Sequence, residues 1–179
     1  MSRLLKPLSF VALLLGAVSA TPSLAMEVRG PGGPPTLVVQ VPDSAIVDRQ
    51  TAQTMIVLAP NTLPILNLGT LPFDPAKIDL TRSELYPVLA SDVLTNLAQS
   101  AGGTVTRRDE GSRVFIAGKS GYLFRGTIEN QAGGDMSVEV ALLMLDKAHV
   151  GLFALVSVQG KEAVGGLEAA MRAATVAPQ

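Results

Sequence analysis

The chain contains no cysteine. That absence removes disulfides, thiol nucleophiles, Cys-ligated zinc and a lipid-modified N-terminal cysteine. Tryptophan is also missing, and aromatic residues make up only 4% of the sequence. Base-stacking platforms and aromatic clamps for carbohydrate are therefore not expected, and aliphatic side chains must fill the core. Neither sign of charge dominates: 14 Lys and Arg stand against 15 Asp and Glu, a net charge of −1. This gives no electrostatic ground for expecting nucleic acid or an anionic membrane surface as partner. No apolar run reaches the ~20 residues needed to cross a bilayer.

What is present is 179 residues with 47% hydrophobic content, enough for one compact domain with appendages. Arg3 and Lys6 precede an apolar run, Leu8 to Val18, and small residues follow to Ala25. That order predicts a secretory signal peptide over residues 1–25, cleaved after Ala25, with Ala20 the second choice. An uncleaved membrane anchor is the alternative. Cleavage removes Arg3 and Lys6 and no acid, leaving a net charge of about −3. The expected product is a periplasmic or secreted protein with no membrane span. Residues 26–35 read as a Pro/Gly-rich linker on Gly30-Pro-Gly-Gly-Pro-Pro35. Residues 36–176 read as one domain.

Thr36–Val41 is β-branched and predicts a first strand. Ser44 to Thr54 tolerates a short helix, Met55–Ala59 predicts a strand, and Leu63–Leu68 a weaker one because Pro64 lies inside it. Leu71 to Pro75 reads as a turn-rich connector. Thr81-Arg-Ser-Glu84 has capping-box spacing, and Leu85, Val88, Leu89, Val93 and Leu97 form an apolar stripe on a helix running to about Ser100. Pro87 is awkward under that cap, and Ser83 as the cap would bring it nearer the start. Gly102-Gly103 ends the helix. The charged run Arg107–Glu110 reads as a solvated turn, with an ion-pairing docking spot as its functional alternative.

Three strands follow, at about Tyr122–Glu129, Met136–Leu145 and Val150–Gln159. Matching faces by the period of two pairs Ile128 with Val138, Phe124 with Leu142 and Thr127 with Glu139. Around Leu143–Leu145 and Phe153–Leu155 both faces are apolar, so both need cover. The stripe Val164, Leu167, Met171 and Ala174 predicts a second helix over Lys161–Ala174. The expected fold is α+β: an α/β/α sandwich with a central antiparallel sheet flanked by two main helices.

Val114-Phe-Ile-Ala-Gly118, then Gly121-Tyr-Leu-Phe-Arg-Gly-Thr-Ile128, a glycine hairpin, two long strands and a helix ending Ala-Ala-Met-Arg-Ala-Ala-Thr-Val176 resemble the C-terminal half of Mog1/PsbP-like domains. The pattern is similar to the bacterial exported, DcrB-type members and covers residues 81–176. The resemblance implies an α/β/α sandwich, no catalytic residues to carry over, and accessory, assembly or protein-binding roles.

No catalytic constellation stands out. His149 is the one histidine, and a triad centred on it would need Ser and Asp from elsewhere. With Asp74 and Asp79 it makes a poor metal set. Lys119-Ser120 and Ser157/Lys161 read as a turn and a helix start rather than Ser-Lys chemistry. Gly160-Lys161 lacks the glycine loop of a phosphate cradle. The best candidate binding patch is the polar row Arg125, Thr127, Glu129, Ser137 and Glu139, on a sheet face that helices leave uncovered; an ordinary solvated face is the alternative. The expected function is a non-enzymatic exported domain, without cofactor, that binds another envelope or periplasmic protein or an envelope component. The alternatives are a carrier of a small apolar ligand and, third, a hydrolytic enzyme.

Overall fold

The computed structural model describes residues 25–33, 35–58, 63–130, 134–158 and 166–177. Its elements run β1 (Ala25–Arg29), β2 (Thr36–Pro42), β3 (Ile46–Arg49), β4 (Gln53–Val57), β5 (Ile65–Pro72), α1 (Leu85–Ser100), β6 (Thr104–Arg108), β7 (Ser112–Ile116), β8 (Lys119–Glu129), β9 (Met136–Met144), β10 (His149–Val158), α2 (Gly166–Arg172) and β11 (Thr175–Ala177). The fold is α+β and mostly antiparallel sheet. Eight strands form the main sheet, ordered β3-β4-β5-β10-β9-β8-β6, with β7 pairing β8 beside β6; a small sheet is ordered β1-β2-β11.

The Ser44–Thr54 stretch is not helical. Ile46–Arg49 pairs with β4 as an edge strand, because Ile46 and Val47 are β-branched and the helical alternative offers no apolar stripe to bury. β5 extends through Leu71 and Pro72 into the expected connector, where it pairs with His149 and Val150 of β10. Met26–Arg29, inside the stretch read as linker, pairs with β2.

On one face of the main sheet lies α1. Its buried line is Tyr86, Ala90, Leu94 and Ala98, whereas Val88 is 59% exposed and Leu85, Leu89, Val93 and Leu97 are half-buried. The helix is thus turned by about one residue from the expected stripe. Small alanines let the backbone approach Phe124, Ile128, Val138 and Val140 closely, and the bulkier leucines flank that contact. The expected capping box does not form. Thr81 Oγ donates to Asp79 instead, at 2.7 Å, and Arg82 binds Glu84 at 2.7 Å. Helix α1 starts at Leu85, so Pro87 falls in the first turn, where a missing N–H breaks no helical bond. At the other end Gly102 takes φ +66°, and the N–H groups of Gly102 and Gly103 return to the carbonyls of Gln99 and Ala98. This is a Schellman stop.

The opposite face corrects the picture of a helix-flanked sandwich. Helix α2 spans only seven residues, Gly166–Arg172, and residues 161–165 of the expected helix lie outside the described residues. Leu167, Met171 and Ala174 are buried as its stripe predicts. Most of the cover is the small sheet, whose Val28, Leu37, Val39 and Val41 pack with Leu68, Leu143 and Phe153 of the main sheet and with Leu145 just after β9. Leu143 and Phe153 are fully buried. Burial of each such side chain contributes about 1.5–3 kcal/mol before chain entropy.

Within the meander, Ile128 pairs with Met136, Phe124 with Val140 and Arg125 with Glu139. The register is shifted by two residues from the one expected. An even shift keeps every side chain on its face, so hydrophobic alternation cannot distinguish the two.

Candidate functional site

Alternation along β8 puts Arg125, Thr127 and Glu129 on the face that carries the small sheet, and β9 puts Ser137 and Glu139 there too. The pairing sets them in rows: Arg125 opposite Glu139, Thr127 opposite Ser137, and Ser137 opposite Ser157 of β10. Nearer the small sheet, the same face carries Leu123, Ala141 and Phe153, all within the covered core. Polar side chains begin where that cover stops.

Beyond it lies a groove of about 440 Å³ lined by Arg107, Asp109, Arg125, Thr127, Ser137, Glu139 and Ser157, with Leu155 behind. Four of the five residues of the sequence patch are brought together there. Glu129 is not among them: it is exposed at the far end of β8, opposite Thr104. Reasoning from alternation on β8 and β9 alone missed Arg107 and Asp109. They arrive from β6 and the turn after it, through an irregularity between Val105 and Arg107 that shifts the register by one.

Arg125 Nε donates to Glu139 Oε1 at 2.7 Å. The Arg125 side chain is 53% exposed and that of Glu139 only 22%, so the pair itself contributes no more than about 1 kcal/mol. Glu139 Oε2 is buried and accepts no hydrogen bond from the described residues. Asp109 is already engaged. Its Oδ1 accepts from the N–H groups of Arg125 (2.9 Å) and Gly111 (3.1 Å), and its own N–H donates to the Arg125 carbonyl. The Ser157 hydroxyl lies 3.5 Å from the Ser137 carbonyl. This arrangement offers ion-pairing and hydrogen-bonding groups to a ligand.

His149 lies at the start of β10, where its Nδ1 is 2.9 Å from Asp146 Oδ1. Asp74 and Asp79 hold turns, through the N–H of Ala76 and through Thr81. Among the described residues no three His, Asp or Glu side chains cluster as metal ligands would, and no helix is long and apolar enough to cross a membrane.

A second groove, of about 480 Å³, was not anticipated. It opens on the α1 face, where Leu80, Tyr86, Tyr122 and Met144 meet Arg113 and Phe115 of β7. Tyr86 and Tyr122 are 4.8 Å apart, and the Arg113 guanidinium sits 5.9 Å over the Tyr122 ring. The Tyr86 hydroxyl donates to the Leu80 carbonyl at 2.9 Å, and burial, with Tyr122 beside it, raises its pKa above the usual phenol value. The signal in the sequence was the placement of both tyrosines among apolar partners.

No family model matches the chain, and no curated protein matches it. Among solved structures it is similar to LpqN, described as involved in cell envelope biogenesis of Mycobacterium tuberculosis. The identity is 18% and the TM-score 0.46, over 86% of this chain and 92% of that one. A likeness at that level carries no functional argument.

Proposed function

We propose that this chain is an exported, non-catalytic domain that binds another envelope or periplasmic protein, or an envelope component, in the polar groove of β6, β8, β9 and β10. One observation carries the reading: the half-exposed Arg125 pairs with Glu139 at 2.7 Å in a groove that also gathers Arg107, Thr127, Ser137 and Ser157. A charged pair and hydroxyls gathered in one depression offer a partner donors and acceptors in exchange for water. Export is supported by the basic, apolar, small-residue order of residues 1–25. The first described strand begins at Ala25, so cleavage there leaves Met26–Arg29 free to pair with β2. The Mog1/PsbP-like pattern of residues 81–176 agrees with an accessory role.

The test immobilises the mature chain and titrates envelope extract over it. Thr127→Arg fills the groove without touching the core, and Glu139→Gln removes its charge. Saturable capture of one partner, reduced at least about tenfold by Thr127→Arg, is the expected result. Equal capture by both variants and the parent would sink the reading. The mature N-terminus, read by mass spectrometry of exported protein, is expected at Met26.

A further inference from the structure

The edges of the main sheet are not equally protected. Natural edge strands discourage pairing with charges, prolines and bulges. β3 carries Asp48 and Arg49, and β6 carries Arg107, Arg108 and an irregular register. β7 reads Ser-Arg-Val-Phe-Ile and pairs only with β8 among the described strands. Its one charge is Arg113, and its Phe115 is 73% exposed, the most exposed large hydrophobic side chain among the described residues.

We propose that the free edge of β7 is a strand-addition site for an extended, acidic peptide segment of a partner protein. The segment's backbone continues the sheet beyond β7. Its alternate side chains fall on the α1 face, where one apolar side chain enters the groove between Phe115, Tyr122 and Tyr86 and an acidic one meets Arg113. Charge selects this occupant. Among the described residues, Arg113 is the only charged one lining the groove, and it forms no ion pair. A second copy pairing through β7 would bring another arginine and no acid within that strand. Tyrosine and arginine are also among the residue types that dominate binding energy at protein interfaces, and phenylalanine is enriched there. The site lies on the opposite face from the polar groove and does not depend on it.

The chain has no tryptophan, and both of its tyrosines line this groove. Intrinsic ultraviolet emission therefore reports on this place alone. The probes are a capped hexapeptide, Thr-Val-Thr-Glu-Thr-Val, which sets Glu and Val on one face, its Glu-to-Gln analogue, and a version N-methylated at alternate amides. The first is expected to change tyrosine emission saturably and to slow amide exchange in β7. The Gln analogue should bind about fivefold more weakly, the ratio expected for one partly exposed ion pair, and the N-methylated peptide should not bind. Arg113→Gln should erase the difference between the Glu and Gln peptides, while Phe115→Ser weakens both. Thr127→Arg, on the other face, should leave all of these values unchanged. No saturable response, or a Glu preference that survives Arg113→Gln, overturns the proposal. So does a dimer in sedimentation velocity that Phe115→Ser returns to monomer, because it gives the edge to a second copy.

Discussion

Asp146 and His149 meet in the turn between β9 and β10, where Nδ1 lies 2.9 and 3.0 Å from the two carboxylate oxygens. Burial works to raise the Asp146 pKa, but the Ala148 N–H at 2.7 Å and the His149 side chain outweigh it, and the net direction is down. A carboxylate whose pKa is lower folded than unfolded stabilises the fold above the unfolded value, and that contribution disappears as pH falls through the folded value. Asp146→Asn is therefore expected to lower stability at pH 7 by less than about 1 kcal/mol, since the pair is one-third exposed. The deficit should shrink as pH falls below the ordinary carboxylate range. Urea unfolding of parent and variant at pH 7 and at pH 3 checks it; a deficit unchanged at low pH would mean that turn geometry, not charge, is responsible. Between β6 and β7, Gly111 has a different importance. Its φ is +80°, and a Cβ there would run into the Phe124 ring. Glycine is thus required both by conformation and by close approach.

At the scale of elements, the strands of the meander were legible because their alternation is strong and their flanks are polar. β8, β9 and β10 fall within three residues of their expected bounds where they are described. The patch residues Arg125, Thr127, Ser137 and Glu139 were legible for the same reason. Their pairing was not, because a two-residue shift preserves both faces. Helix α1 follows from its period, but the stripe of leucine and valine does not mark its buried side, because the small size of alanine decides which side approaches the sheet most closely. Leu94→Ala and Val88→Ala separate the two orientations. Leu94 is 1% exposed in the same buried cluster as Phe124 and Ile128, so its truncation is expected to cost about 2–5 kcal/mol. Val88 is 59% exposed, and its loss should stay within about 0.5 kcal/mol. Equal losses in chemical denaturation would restore the orientation read from the stripe.

Over the whole molecule, the small sheet joins the two ends of the fold. β11 pairs with β2, setting Thr175 against Val38 and Val176 against Leu37, and β1 pairs with the other edge of β2. Such pairing between distant segments leaves no local pattern, which is why the helix-flanked sandwich was expected instead. One apolar cluster runs from Val28, Leu37 and Val39 of the small sheet through Leu68, Leu143 and Phe153 of the main sheet to Met171 of α2. Two sheets that share a core should unfold together, so far-UV circular dichroism and tyrosine emission, which reports only the α1 face, should give coincident transitions. Removing residues 175–179 deletes β11 and bares one edge of β2. The loss of a short ladder of backbone hydrogen bonds is expected to lower stability by about 2 kcal/mol. Because the cluster remains continuous through Leu37 and Val39, the truncated chain should still unfold in one step, with a lower urea midpoint and nearly the same slope. If dichroism then changes ahead of tyrosine emission, the small sheet is melting by itself, and the closure by β11, rather than the shared core, is what binds it to the rest.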